Sequence, residues 1–297
     1  MTASRSIVAL GEILWDLFPS GARFGGAPAN FASSAAELAG DSCHVSLVSG
    51  VGRDELGQQA IAALQAHGVD TSCVATLDRP TGTVDVTLDA GGSASYVFAI
   101  DTAWDAVAWT DDLGRLAAGA DAVCFGTLGQ RAETSRGTIL RFVRSVPSTC
   151  LRVLDINYRP PFWSDRVVLE SLALADVLKL NDAELPILAQ IVGIHGGDEE
   201  LLRQLIDRYR LRLVALTRGA AGALLLDASG ACSDLAAPTT KVIDTVGAGD
   251  SFTAALVIGL LSGLPLDAMN AWGNRVAAYV ASQAGAAPHL PAEYLRP

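Results

Sequence analysis

The chain has 297 residues, half of them hydrophobic, a formal net charge of −11 and a pI near 4.7. That length allows one large α/β domain or two smaller ones with ample core material, and the acidic balance excludes nucleic acid as a main partner, which wants a basic surface. The five cysteines (43, 73, 124, 150, 232) and four histidines form no CxxC or HxxxH pair, so buried, reduced thiols are expected and a dedicated zinc motif is not.

Ser6–Leu10 is a short, β-rich apolar run. Arg5 leads into it almost directly and charged Glu12 and Asp16 follow, so no secretory signal is expected. Ala29–Leu38 reads as a helix closed by Gly40, His44–Ser49 as a strand, and Glu55–His67 as a helix with Gly68 at its C-terminal cap. Asp121–Phe125, Leu151–Ile156, Val177–Leu180 and Leu213–Leu216 are further strands, alternating with helical patterns. Such alternation implies parallel strands with crossover helices, an open doubly wound sheet flanked by helices. GTVDVTLD (82–89) and SASYVFAI (93–100), joined around Gly91-Gly92, alternate instead like an antiparallel hairpin with one wet face. With the segment between Gly11 and Arg23 they suggest a small sheet, from about 12–23 and 81–103, inserted in a single domain spanning 1–297. It suits a lid or a homodimer surface; an ordinary edge hairpin explains the pattern equally well. The uncharged run between Asp250 and Asp267 is too short to span a bilayer, so a soluble cytoplasmic protein with no membrane partner is expected.

Common nucleotide motifs are excluded. A Walker A loop needs Gly-Lys-Ser/Thr, and neither Lys179 nor Lys241 follows a glycine. A dinucleotide fingerprint needs GxGxxG, but Gly11 stands alone and Gly50-Val51-Gly52 has Glu55 in the third position. A different arrangement is offered by DTVGAGDSFTAALVIGLL (244–261), a hydrophobic helix opened by Asp250 behind Gly247-Ala248-Gly249. Helix starts attract anions, and two glycines let backbone N–H groups close on a phosphoryl group. Asp250 beside them either takes the proton of an attacking hydroxyl or merely caps the helix.

GGAPAN (25–30) puts two glycines and an amide at a helix entrance, which suits a polyhydroxylated ligand; a turn with a surface asparagine explains it as well. In LKLNDAEL (178–185), Asn181 and Glu184 have capping-box spacing, and the same pair at a strand end could hold magnesium through waters.

In this order and spacing, GGAPAN, NDAE and DTVGAGD resemble the ribokinase-like (PfkB) carbohydrate kinases over essentially the whole chain, and LTRGAAG (216–222) and Asn274 match their nucleotide-site patterns. GEILWDLFP, FGGAPANFA, AWD (103–105), FGTLGQR (125–131) and DINYRPPFW (155–163) look like bacterial fructokinase segments, while an arginine at Arg159 is shared with ketodeoxygluconate kinases. A guanidinium suits a sugar-acid carboxylate, which keeps that substrate open. The acidic sugar contact of ribokinases is absent from FGTLGQR, which argues against ribose.

The resemblance implies a ribokinase-like α/β fold with a β-sheet lid, and ATP-dependent phosphorylation of a sugar, fructose above all. By that match Asp250 is the catalytic base and Gly247, Ala248 and Gly249 form the anion hole. Asp16, Gly25, Gly26, Asn30 and Arg159 contact the sugar, and Asn181, Thr217, Gly219, Gly222 and Asn274 surround ATP. Asn181 and Glu184 organise Mg2+ through water, and Asp244 falls at a position associated with a monovalent cation such as K+. A non-catalytic sugar sensor on the same fold and a nucleoside kinase are the rival expectations.

Overall fold

The computed structural model describes residues 4–19, 21–88 and 94–297. The chain opens with β1 (Arg5–Leu10), β2 (Leu14–Phe18), β3 (Gly21–Gly25), α1 (Ala27–Ala39), β4 (Cys43–Gly52), α2 (Glu55–Ala66) and β5 (Val74–Leu77). Next come β6 (Gly82–Leu88), β7 (Ala94–Phe98), α3 (Asp111–Ala118), β8 (Ala122–Phe125), α4 (Glu133–Ser145), β9 (Leu151–Asp155) and α5 (Asp165–Leu172). It continues through β10 (Val177–Asn181), α6 (Glu184–Val192), α7 (Asp198–Tyr209) and β11 (Leu213–Thr217). The last elements are β12 (Ala223–Asp227), β13 (Cys232–Leu235), α8 (Ala248–Ser262) and α9 (Leu266–Ala281).

Nine strands form the main sheet in the order β13-β12-β11-β10-β9-β8-β1-β4-β5. It is parallel from β5 to β11, and β12 and β13 are antiparallel. Its central strands are apolar on both faces because helices cover both. In β1, Ile7 and Ala9 join the core under α1, α8 and α9, while Val8 and Leu10 join the core under α3 to α7. From β1 the chain winds outward through β4 and β5, then returns to build from β8 to β11 on the other side. The order therefore reverses between β1 and β8, and in such sheets the crevice beyond the carboxyl ends of the strands at that point is where ligands bind.

A second sheet, β3-β2-β6-β7, packs Leu14, Val84 and Val86 against Phe18 and Phe98. The expected hairpin is β6 and β7, paired antiparallel; its turn around Gly91-Gly92 lies outside the described residues. β2 lies parallel to β6 and antiparallel to β3, so the segment after Gly11 belongs to this sheet.

One local expectation is corrected. The helix of 244–261 is opened by Gly247, in the left-handed region at φ 80, and Asp250 is the third residue of α8. An alanine Cβ at Gly247 would lie 1.8 Å from the carbonyl oxygen of Ala286, so the turn passes too close to that backbone for any side chain. Asp250 makes no cap, and its side chain is free to point elsewhere. α8 is buried on most sides from Ser251 to Gly259, packed between α1 and α9. That sandwich fixes the start of α8 relative to the start of α1.

Candidate active site

Asn30 on α1 and Asp250 on α8 meet: the Asn30 amide donates to an Asp250 carboxylate oxygen at 2.9 Å. Asn30 is buried rather than superficial, so its exposed-turn reading fails. Burial, and then the charge of Asp155, push the Asp250 carboxyl up to about 6, against the opposing pull of Lys179, Asn30 and Arg159. A carboxyl placed there titrates close to neutrality, where a general base is most effective.

Asp250 lines a cleft of about 770 Å³ together with Glu12, Asp16, Gly26, Asn30 and Arg159. Glu12 follows β1, and burial pushes its carboxyl up to about 7 although Arg159 opposes. Asp16 on β2 is likewise raised to about 6 by burial, again against Arg159. The guanidinium of Arg159 thus sits among three carboxylates. Gly25 does not line the cleft; a Cβ there would come 3.2 Å from Asp16 Oδ2, so this glycine leaves room for that carboxylate. At Gly26, φ 106 and a Cβ position 2.6 Å from the Glu12 carbonyl oxygen demand glycine where α1 begins.

A second cleft, of about 440 Å³, is lined by Thr217, Gly219, Gly222, Ala248 and Asn274, with an apolar wall that includes Val242 and Phe252. The two clefts share Lys179, Asn181, Thr245 and Gly249. The glycine turn of α8 therefore stands at their junction, with Asp250 on the first side.

Asn181 and Glu184 form the reciprocal box their spacing suggested. Asn181 Oδ1 accepts the N–H of Glu184 at 2.9 Å, and Glu184 accepts the N–H of Asn181 at 2.9 Å and of Tyr158 at 3.0 Å. Glu184 is buried behind the junction and lines neither cleft; burial raises its carboxyl, against Lys179. Asp244 also lines neither cleft. It pairs with Arg23 of β3 at 3.1 Å and accepts the Val246 N–H at 3.1 Å.

Sequence reasoning missed Lys179, Asp155 and Thr253. Lys179 projects from β10 to the junction, where its Nζ would lie 3.0 Å from a Cβ on Gly249. It is held by Asp155 at 3.1 Å, whose other oxygen accepts from Thr253 of α8 at 3.0 Å. Burial alone would lower the lysine; Asp155, Glu184 and Asp250 outweigh it, so the ammonium stays charged. The available signal was a lysine between two leucines inside a buried strand, in a chain with only one other lysine. The AWD, FGTLGQR and DINYRPPFW segments meet as a structural cluster: Arg131 pairs with Asp105 at 2.7 Å and stacks on Trp104 and Phe162.

Two clefts meeting at a glycine-lined helix start, with a carboxylate and a buried ammonium at the meeting point, form a layout suited to phosphoryl transfer between two bound molecules. The model for the pfkB family of carbohydrate kinases matches residues 21–293. A fructokinase of Salmonella typhimurium is 34% identical over 272 residues, covering 87% of this chain and 85% of that enzyme. An uncharacterized sugar kinase from Pyrococcus horikoshii, solved in complex with ATP, superposes with a TM-score of 0.78 at 29% identity over 94% of this chain and 93% of that one. A 2-dehydro-3-deoxygluconokinase from Thermotoga maritima has the same fold, with a TM-score of 0.86 over 98% of this chain and 97% of that one at 19% identity. The chain belongs to the PfkB family of carbohydrate kinases, phosphotransferases that act on an alcohol group. Among the described residues no helix is long and apolar enough to cross a membrane.

Proposed function

We propose that the protein is an ATP-dependent fructokinase that phosphorylates the 6-hydroxyl of D-fructose by direct in-line transfer. The observation that carries this reading is the placement of Asp250: its carboxylate faces the first cleft from the first turn of α8, one residue beyond the junction with the second. Fructokinase relatives support the choice of sugar. So does the lining of the first cleft, where the carboxylates of Asp16 and Asp250 and the amide of Asn30 can accept from neutral sugar hydroxyls.

In this reading the sugar lies in the first cleft, with hydroxyls on Asp16 and Asn30 and its 6-hydroxyl against Asp250, which takes the proton. The second cleft takes the nucleotide, with its apolar wall against the base and Thr217, Gly219, Gly222 and Asn274 around it. The triphosphate points to the junction, where the N–H groups of Gly247, Ala248 and Gly249 and the ammonium of Lys179 receive the charge on the migrating group. Mg2+ takes most of its ligands from phosphates and waters. Asn181, which lines both clefts, is the member of the Asn181–Glu184 box that a bridging water reaches, whereas buried Glu184, with both oxygens on backbone N–H groups, holds Asn181 in place. When bound, Mg2+ neutralises phosphate charge. A K+ ion at Asp244 would share that carboxylate with Arg23.

The second sheet serves as the lid. Leu14, Asp16, Val84, Tyr96 and Phe98 face the first cleft from it, and its closure excludes water that would otherwise compete with the sugar. The exposed Val97, on the face of β7 opposite Tyr96 and Phe98, makes the outer side of the same sheet a surface for homodimerisation, which sedimentation of the wild type and of a Val97→Asp variant would test. A cytoplasmic location, where ATP is available, fits the reading. The deciding experiment is ADP release with Mg2+, ATP and a sugar panel. Fructose should give the highest kcat/KM; a preference for ketodeoxygluconate or adenosine, or ADP release independent of sugar, would overturn the assignment.

A further inference from the structure

The sequence spacing offers no zinc motif, yet the fold builds a compact nitrogen and oxygen cluster away from both clefts. Glu37 near the end of α1, His67 just after α2, and His289 in the C-terminal tail offer ligand atoms that all lie within 4.8 Å of one another. Nδ1 of His67 sits 2.6 Å from Glu37 Oε1, and Nδ1 of His289 contacts the same oxygen. The two rings lie against one another, tilted by 33°, with centroids 4.4 Å apart. The other Glu37 oxygen accepts the Leu290 N–H at 2.6 Å, which fixes the carboxylate and leaves Oε1 to face both imidazoles. Glu37 and His67 are largely buried, whereas His289 is exposed, so the cluster opens to solvent on one side only. Burial alone would raise Glu37, but the hydrogen bonds from His67, Leu290 and His289 hold it below its ordinary value, so it is ionised.

We propose that Glu37, His67 and His289 bind one divalent transition-metal ion of the zinc class, with water completing its shell, and that this ion clasps the C-terminal tail to α1. Two imidazole nitrogens and one carboxylate oxygen suit Zn2+, Co2+, Ni2+ or Cu2+, whereas Mg2+ and Ca2+ prefer all-oxygen sets. Bonds of about 2.0–2.2 Å to a tetrahedral ion place neighbouring ligand atoms roughly 3.3 Å apart, so the cluster must open by less than an ångström. The exposed His289 ring can supply its own share of that movement, and the His67 ring must turn away from Glu37 Oε1 for the rest. The Leu290 N–H on the second carboxylate oxygen is the kind of outer-shell contact that orients metal-binding carboxylates. Glu37 lies two helical turns from Asn30, about 10 Å along α1, so the site is separate from the sugar cleft.

The test uses the full chain, tag-free and chelator-treated, without sugar or nucleotide, so its outcome is independent of the kinase assignment. Zn2+ is titrated calorimetrically, and Co2+ is followed by its visible ligand-field bands. One ion per chain is expected, with affinity at least tenfold lower in His289→Ala and in Glu37→Gln, and no competition from Mg2+. The unfolding temperature should rise with Zn2+ in the wild type and not in His289→Ala, whose tail backbone is still held by the Tyr279 hydroxyl on the His289 carbonyl and the Trp272 indole on the Tyr294 carbonyl. Unchanged Zn2+ affinity in His289→Ala, or no binding by the wild type, would overturn the proposal and leave the three side chains as a hydrogen-bonded clasp.

Discussion

Replacing Lys179 by Met separates stability from catalysis at the junction of the clefts. Lys179 and Asp155 are a buried pair 3.1 Å apart, with side-chain exposures of 7% and 9%. Removing only the lysine strands the Asp155 carboxylate, at a cost of about 3–5 kcal/mol. That is a large share of the ~5–15 kcal/mol that holds a domain folded. The double variant Lys179→Met/Asp155→Asn removes the stranded charge while leaving an acceptor for Thr253, so most of that stability should return. Turnover should not return with it. Loss of one preorganised donor at a developing charge costs about 2.7–4 kcal/mol, or roughly 10²–10³ in kcat. Urea unfolding measures the first effect and coupled ADP release at saturating fructose the second. A well-folded double variant with kcat within about threefold of wild type would refute the role of the ammonium.

Glu12→Gln should stabilise the protein at high pH. Between about pH 4.5 and 7 the folded chain keeps a proton on Glu12 that the unfolded chain has released, so this carboxyl lowers stability as pH rises through that window. A displacement from 4.5 to about 7, at about 1.4 kcal/mol per pH decade, amounts to roughly 3 kcal/mol at most, seen at pH 8 and nearly absent at pH 4.5; urea melts at both pH values check it. Turnover of the wild type should fall as pH drops through about 6, as Asp250 gains a proton and ceases to act as a base, which a pH–kcat profile reads directly. Gly247→Ala should unfold at a clearly lower temperature, because its Cβ meets the Ala286 carbonyl oxygen and its φ is positive. Gly249→Ala should melt nearly as the wild type yet lose activity, because its Cβ meets only the tip of Lys179 at 3.0 Å.

The parallel half of the fold was legible because β1, β8, β9, β10 and β11 are apolar on both faces and separated by helices of readable period. The antiparallel edge, β12 and β13, was not: ALLLD reads as well for a helix as for a strand, and only pairing with β11 decides it. Asp250 and its glycines were legible as a local motif, although the true helix start, Gly247, is set by the distant backbone of Ala286. Asn30 alone read as a surface turn residue; only the packing of α1 on α8 brings it to Asp250. Lys179, Asp155 and Thr253 come from β10, β9 and α8, and no spacing along the chain records their meeting. Glu37, His67 and His289 were invisible for the same reason.

Asp250→Asn tests the central claim most directly, because the amide keeps the size of the side chain and an oxygen that can still accept the Asn30 hydrogen bond. Calorimetry should show ATP and fructose binding nearly as in the wild type, while ADP release with fructose falls by roughly 10²–10⁴-fold, the contribution of a positioned general base. Turnover close to that of the wild type, with both substrates bound, would contradict the account.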